Sequence, residues 1–430
     1  MPYLWPHTKH QMAIPLLRSL FLSLMVMAAL PALAQQAPSN QGEAKALLVR
    51  AENHIQLANW PEALQLLSEA IIIDPNSAAA FSARAKLLAR LGRNVEANAD
   101  LKRATMLNPY APHLVDEQAR TKMLMADYKG AAMDLNRALQ QFPDDTLLLT
   151  DRAIALTELG NIDGAIADYD ALVARNPKNY VVRLQRAFLL LQAKRVDDAE
   201  LDVQQAATLN PNSGIVRDVE GLVRMAQNRP ADAIASFDAA LQLNPELGMA
   251  YINRAAALKM TGDTMAALQD LDKGIAIEMD MANAFLNRAI ARRALGDLKG
   301  ASKDFIKAIQ LSPESSVALY NQGLLRKQMG DRTQAMQDAE KAVELDPNSA
   351  DAYNLRGSLY AIFNDFNRAL QDLDRAIQLE PAHADAYHNR GTVHIFNHQQ
   401  AQGCDDLRKA GDLDHKEARE KYKAFCSIRW

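Results

Sequence analysis

The chain has 430 residues, 49% of them apolar and 6% aromatic, and a formal net charge of −4. That apolar share supports a sizeable core and excludes disorder throughout. The near-balanced charge carries no long single-sign run, which argues against nucleic acid or an anionic membrane surface as a partner.

The first segment differs from the rest. Lys9, His10 and Arg18 precede an apolar run at 19–30, and Pro31-Ala32-Leu33-Ala34 follows, with small residues where a signal peptidase needs them. This predicts a secretory signal peptide over 1–34, cleaved before Gln35, with the start at Met1 or Met12. An uncleaved anchor is the alternative, although 12 apolar residues fall short of the ~20 a spanning helix needs. No membrane insertion is expected after cleavage. Residues 35–43 read as a linker.

From there the chain is periodic. Prolines stand at 75, 109, 143, 177, 211 and 245, then at 313, 347 and 381; every gap is 34 residues except one of 68, with Met279 at its midpoint. With proline as position 32, eleven repeats start at Ala44, Ala78, Pro112, Thr146, Tyr180, Gly214, Gly248, Ala282, Ser316, Ala350 and Ala384, and end at residue 417. Position 8 is Ala or Gly in all eleven, position 20 is Ala in ten and Gly403 in the last, and position 27 is small in all but one, which has Leu172. Positions 15–16 read Gly160-Asn161, Gly262-Asp263, Gly296-Asp297 and Gly330-Asp331. Glycine there can end a first helix in the left-handed conformation, and Asn or Asp can cap a second. Proline stops the second helix.

These columns resemble the tetratricopeptide-repeat family over residues 44–417. The resemblance implies an all-α fold, a right-handed α-solenoid of antiparallel helix pairs (A and B), with residues 418–430 as a C-terminal capping helix. A single repeat cannot bury its own apolar face, so neighbours must stack into one continuous core.

Position 7 is Arg in eight repeats (Arg50, Arg84, Arg152, Arg186, Arg254, Arg288, Arg356, Arg390) and position 23 is Asp in nine, from Asp100 to Asp406; repeat 6 has Glu220 and Ser236 instead. Guanidinium and carboxylate fit bidentately, so a structural ladder between helices A and B is expected rather than an anion-binding stripe.

No phosphate loop, zincin helix, nucleophile elbow or dinucleotide turn occurs, so no enzyme activity, catalytic residue or cofactor is expected. His394 and His398 have the spacing of two ligands on one helix face, but no third ligand has metal-like spacing. A metal-binding exported protein is therefore the weakest alternative.

In this family the A helices line a concave face through positions 2, 5, 9 and 12. The resemblance places Leu184, Phe188, Ile252, Leu286, Ile290, Tyr320 and Leu324 there, with Lys259, Arg293 and Lys327 as a basic rail. An extended or helical peptide with apolar anchors and some acidity fits such a groove. The family's carboxylate clamp is missing, because position 5 is never Lys and position 9 never Asn. The expected function is an exported scaffold for a protein or peptide partner in envelope assembly or secretion; the rival is a self-assembling solenoid, a homo-oligomer without a peptide ligand. Finally, Cys404 opens helix B of repeat 11 and Cys426 lies along the capping helix. Consecutive helices run antiparallel, so the register predicts a disulfide between them, stable in an oxidising compartment.

Overall fold

The computed structural model describes residues 37–426, and the signal peptide expected at 1–34 lies outside them, as do the last four residues of the expected cap. Twenty-three helices account for the architecture of the described residues. In repeats 2–11 helix A fills positions 1–13 and helix B starts at position 17, as in repeat 7 with Gly248–Met260 and Thr264–Ile277. The two compact bodies are 37–211 and 212–426, each a stack of such pairs.

The periodic columns explain the geometry. Position 15 has a positive φ in every repeat: glycine at 92, 160, 262, 296 and 330, but Ala58, Ala126, Lys194, Asn228, Asn364 and His398 in the rest. In six repeats the Asp or Asn at position 16 then caps helix B, for example Asp297 accepting from the Gly300 N–H at 2.9 Å, whereas Asn59, Arg93, Arg195, Arg229 and Gln399 make no such bond. Ser, Asp or Asn at position 34 caps the next helix A, as Asp145 does for Leu147 and Leu148. Such caps satisfy orphan N–H groups that each helix start leaves open. The position that lost its proline, Met279, changes little, since helix B of repeat 7 still ends at Ile277. Small residues at positions 8, 20 and 27 are buried, Ala51, Ala63 and Ala70 completely.

Two boundaries differ from expectation. Residues 35–43 are not a linker throughout, because the first helix starts at Ala37 and runs to Gln56. The good helix formers lie from its last residue onward, in Glu43-Ala44-Lys45-Ala46-Leu47-Leu48, and Pro38 sits in the first turn, where no backbone donor is missed. The capping helix is Lys416–Cys426, two residues early. Repeat 11 has His415 at position 32 instead of proline; Asp414 takes φ 65 and His415 caps the new helix through Nδ1 to Ala418 N–H at 3.0 Å.

Seven Arg–Asp pairs form as expected, each with two N–H···O bonds; Arg356 meets Asp372 at 2.7 and 2.8 Å. The pairing pattern goes further than the sequence suggested. Several of these arginines also reach back to position 25 of the preceding repeat: Arg186 to Asp170, Arg254 to Asp238, Arg288 to Asp272 and Arg390 to Asp374, at 2.6–2.8 Å. One guanidinium thereby grips helix B of two repeats. Where position 7 is Gln, a base at position 11 takes over, Lys122 on Asp134 and Arg326 on Asp338.

Candidate partner-binding face

Each A helix packs on its own B helix, and within each body most also pack on a neighbouring A helix, so only part of the inward surface is left for a partner. Position 2 is the most open column: Leu147, Val181, Ile215 and Val317 are each about half exposed, between 48% and 54%. Phe188, Leu286, Ile290, Tyr320 and Leu324 are half-buried. Leu184 and Ile252, expected on this face, are instead buried at 4% and 2% exposure. Position 5 is a packing position: Ile252 fills the space above Gly274 and joins a core cluster with Leu271 and Phe285.

The basic rail is also uneven. Lys259 is exposed and Arg293 half-buried, whereas Lys327 turns inward and donates to Ser358 Oγ of the next repeat at 2.7 Å. Burial pulls the Lys327 ammonium below its ordinary pKa, opposed by the Asp385 carboxylate. It holds two A helices together rather than waiting in solvent.

Sequence reading missed a cavity of about 580 Å³ in the N-terminal body. Leu48 and Ile55 from the first helix, Leu67 from helix B of repeat 1, and Leu87 and Leu114 from the A helices of repeats 2 and 3 supply its apolar lining. Glu52, Lys86, Arg90 and His113 supply polar groups. Ala78, Ala79 and Ala83 leave the space open, and this run of small residues at positions 1, 2 and 6 was the available signal.

The C-terminal histidines form no ligand pair. His394 ends a helix and meets Gln399 Oε1 at 2.6 Å, while His398 lies beyond it at φ 60. His388 is buried and stacks on His415 at 4.3 Å. Burial, then Lys421 and His415, push the His388 pKa down to about 4, so its ring is neutral at physiological pH. Among the described residues no group of three or more His, Cys, Asp or Glu is placed to hold a metal ion. Cys404 and Cys426 are joined by a disulfide with Cα atoms 5.7 Å apart, which ties the capping helix to helix B of repeat 11. Beneath it lie Leu407, Ala410 and Ala418, with Tyr387, Ile395 and Tyr422 around them.

Comparison with known proteins agrees with this geometry. One tetratricopeptide-repeat model matches residues 117–180, 150–214 and 219–284, and two others match 339–371 and 317–349. Among solved structures the chain is similar to the APC/C hetero-tetramer Cut9-Hcn1, at 14% identity over 91% of this chain and 86% of that one, with a TM-score of 0.60. It is also similar to a tetratricopeptide repeat protein from Parabacteroides merdae, at 22% identity over 58% of this chain and 98% of that one, with a TM-score of 0.53. At these identities the likeness concerns the fold. No curated protein matches the chain.

Proposed function

The chain belongs to the tetratricopeptide-repeat family, and from that premise we propose that it is an exported scaffold holding a polypeptide partner along its A-helix faces, rather than an enzyme. The observation that carries this reading is the cavity between the first helix and the A helices of repeats 2 and 3. Its apolar lining and polar groups have the make-up of a site for an apolar anchor side chain. Position 2 also exposes apolar side chains in each body, Leu147 and Val181 in one and Ile215 and Val317 in the other.

A photo-crosslinking amino acid at Ala79 in the cavity, or at Val317, should capture one and the same polypeptide from the native envelope. The same group at Ile72, which is 76% exposed on helix B of repeat 1, should not. Val317→Asp should weaken binding of that polypeptide about tenfold, or 1.4 kcal/mol, with the helical circular dichroism unchanged. Equal capture at position 72 would overturn the reading. Crosslinks to a second copy of the chain alone would replace it with self-assembly.

Export is supported by the leader pattern and by the Cys404–Cys426 bridge, because disulfides persist outside the reducing cytosol. Protein isolated from the envelope without reductant should begin at Gln35 and show no titratable thiol after denaturation. An intact leader or two free thiols per chain would refute the assignment.

A further inference from the structure

Adjacent A helices meet at a repeated contact. The side chain at position 5 of one helix faces position 6 of the next, 35 residues along. Between repeats 10 and 11 this is an amide pair, Asn389 Nδ2 donating to Asn354 Oδ1 at 2.8 Å. Between repeats 2 and 3 Ser82 Oγ donates to Glu117 at 2.8 Å, and Lys86 balances that carboxylate at 2.7 Å.

Two joints place an aspartate at position 5 with fewer bases than buried carboxylates. Between repeats 3 and 4, Asp116 (5% exposed) faces Asp151 (4%). Arg120 serves both, with Nε 2.5 Å from Asp151 and 3.2 Å from Asp116. One guanidinium thus faces two buried carboxylates, and Asp116 Oδ1 has no hydrogen-bond partner. The other charges around it are Asp145 at the start of the next A helix, which repels, and Glu117, which Lys86 already occupies. Tyr169 from helix B of repeat 4 is held neutral by burial and by Asp151. Between repeats 6 and 7, Asp218 is buried and receives a single amide, Asn253 Nδ2, at 3.0 and 3.2 Å from its two oxygens. No charged group contributes to its titration.

We propose that these two joints are proton-operated: each packs closed while its buried aspartate carries a proton and loosens when that aspartate ionises. Each joint lies between A helices of the face assigned above to a partner, so regulation of binding rests on that reading; the opening of the joints does not. An unpaired ionised carboxylate is expensive to bury, and the acid responds by keeping its proton. Burial, followed by the Asp151 carboxyl, pushes Asp116 up to about 7. Burial pushes Asp218 up to about 7 against the lowering effect of Asn253. The ordinary aspartate value is about 3.9. The folded joint therefore holds a proton that the opened joint releases. Its advantage is complete below pH ~4, and is lost as pH rises through ~7. The opening equilibrium should rise between about 10- and 100-fold per joint from pH 5 to pH 8.

Site-resolved hydrogen exchange on the full chain, corrected for intrinsic rates, tests this without any partner. Amides in Pro112–Leu124 and Thr146–Glu158, and in Gly214–Ala226 and Gly248–Met260, should lose protection by that factor between pH 5 and pH 8. Asp218→Asn recreates the amide pair found at Asn354–Asn389, so it should fold and should flatten the pH response of the second joint alone. Asp116→Asn should flatten the first alone. Protection that is independent of pH in the unmodified chain overturns the proposal, as does a pH response that survives in both variants.

Discussion

Replacing Arg254 with alanine should lower the stability of the C-terminal body by about 3 kcal/mol, read from chemical unfolding at neutral pH. Arg254 bonds both oxygens of Asp270 at 2.7 Å, reaches Asp238 in the preceding repeat at 2.6 Å, and lies over the Tyr251 ring at 5.6 Å. Its side chain is 20% exposed and that of Asp270 only 6%. Cutting the arginine leaves a buried carboxylate with no cation, which is where most of the cost arises. The joint change Arg254→Met with Asp270→Leu removes both charges and keeps the volume, and should recover most of the loss. If Arg254→Ala costs less than 1 kcal/mol, the ladder is an ornament of the surface rather than a brace between repeats.

Phe237→Ala should cost about 3–5 kcal/mol, because its ring is fully buried and a large void would remain. The ring lies directly against the backbone of Gly221: a Cβ there would stand 2.3 Å from a ring carbon. Gly221→Ala alone should therefore also destabilise, by about 1–3 kcal/mol, as overpacking does. Combining the two should cost clearly less than their sum, since each removes part of the strain or space created by the other. Additive losses in a double-mutant cycle would mean that position 8 is small for a reason other than this contact.

Much of the architecture was legible because a strict 34-residue period aligns residues doing the same job. Small residues at positions 8 and 20, the Asp or Asn caps at position 16 and the bidentate Arg–Asp pairs each had a physical use that the columns made readable. What stayed hidden was which of two neighbours a side chain would meet. Asp170, Asp238, Asp272 and Asp374 form an acidic column in plain view, yet their partner arginines lie in the following repeat. Position 5 looked like groove because the face of a helix is readable from periodicity, whereas the approach of the next A helix onto Ile252 is not. The cavity depends on small residues from repeat 2 coinciding with larger ones from repeats 1 and 3, a property of no single column.

The turn at position 15 bears on how freely this array can vary. Its backbone must go left-handed whatever residue is present, and in Ala58, Ala126 and Lys194 it does so with a Cβ in the way. Each such residue carries on the order of 1 kcal/mol of strain that glycine would relieve. The fold tolerates this because the helices on both sides over-determine the bend. Reserve of that kind lets a chain drift at its turns without losing its shape, so lineages of such arrays can diverge widely in sequence while every corner keeps the same angle.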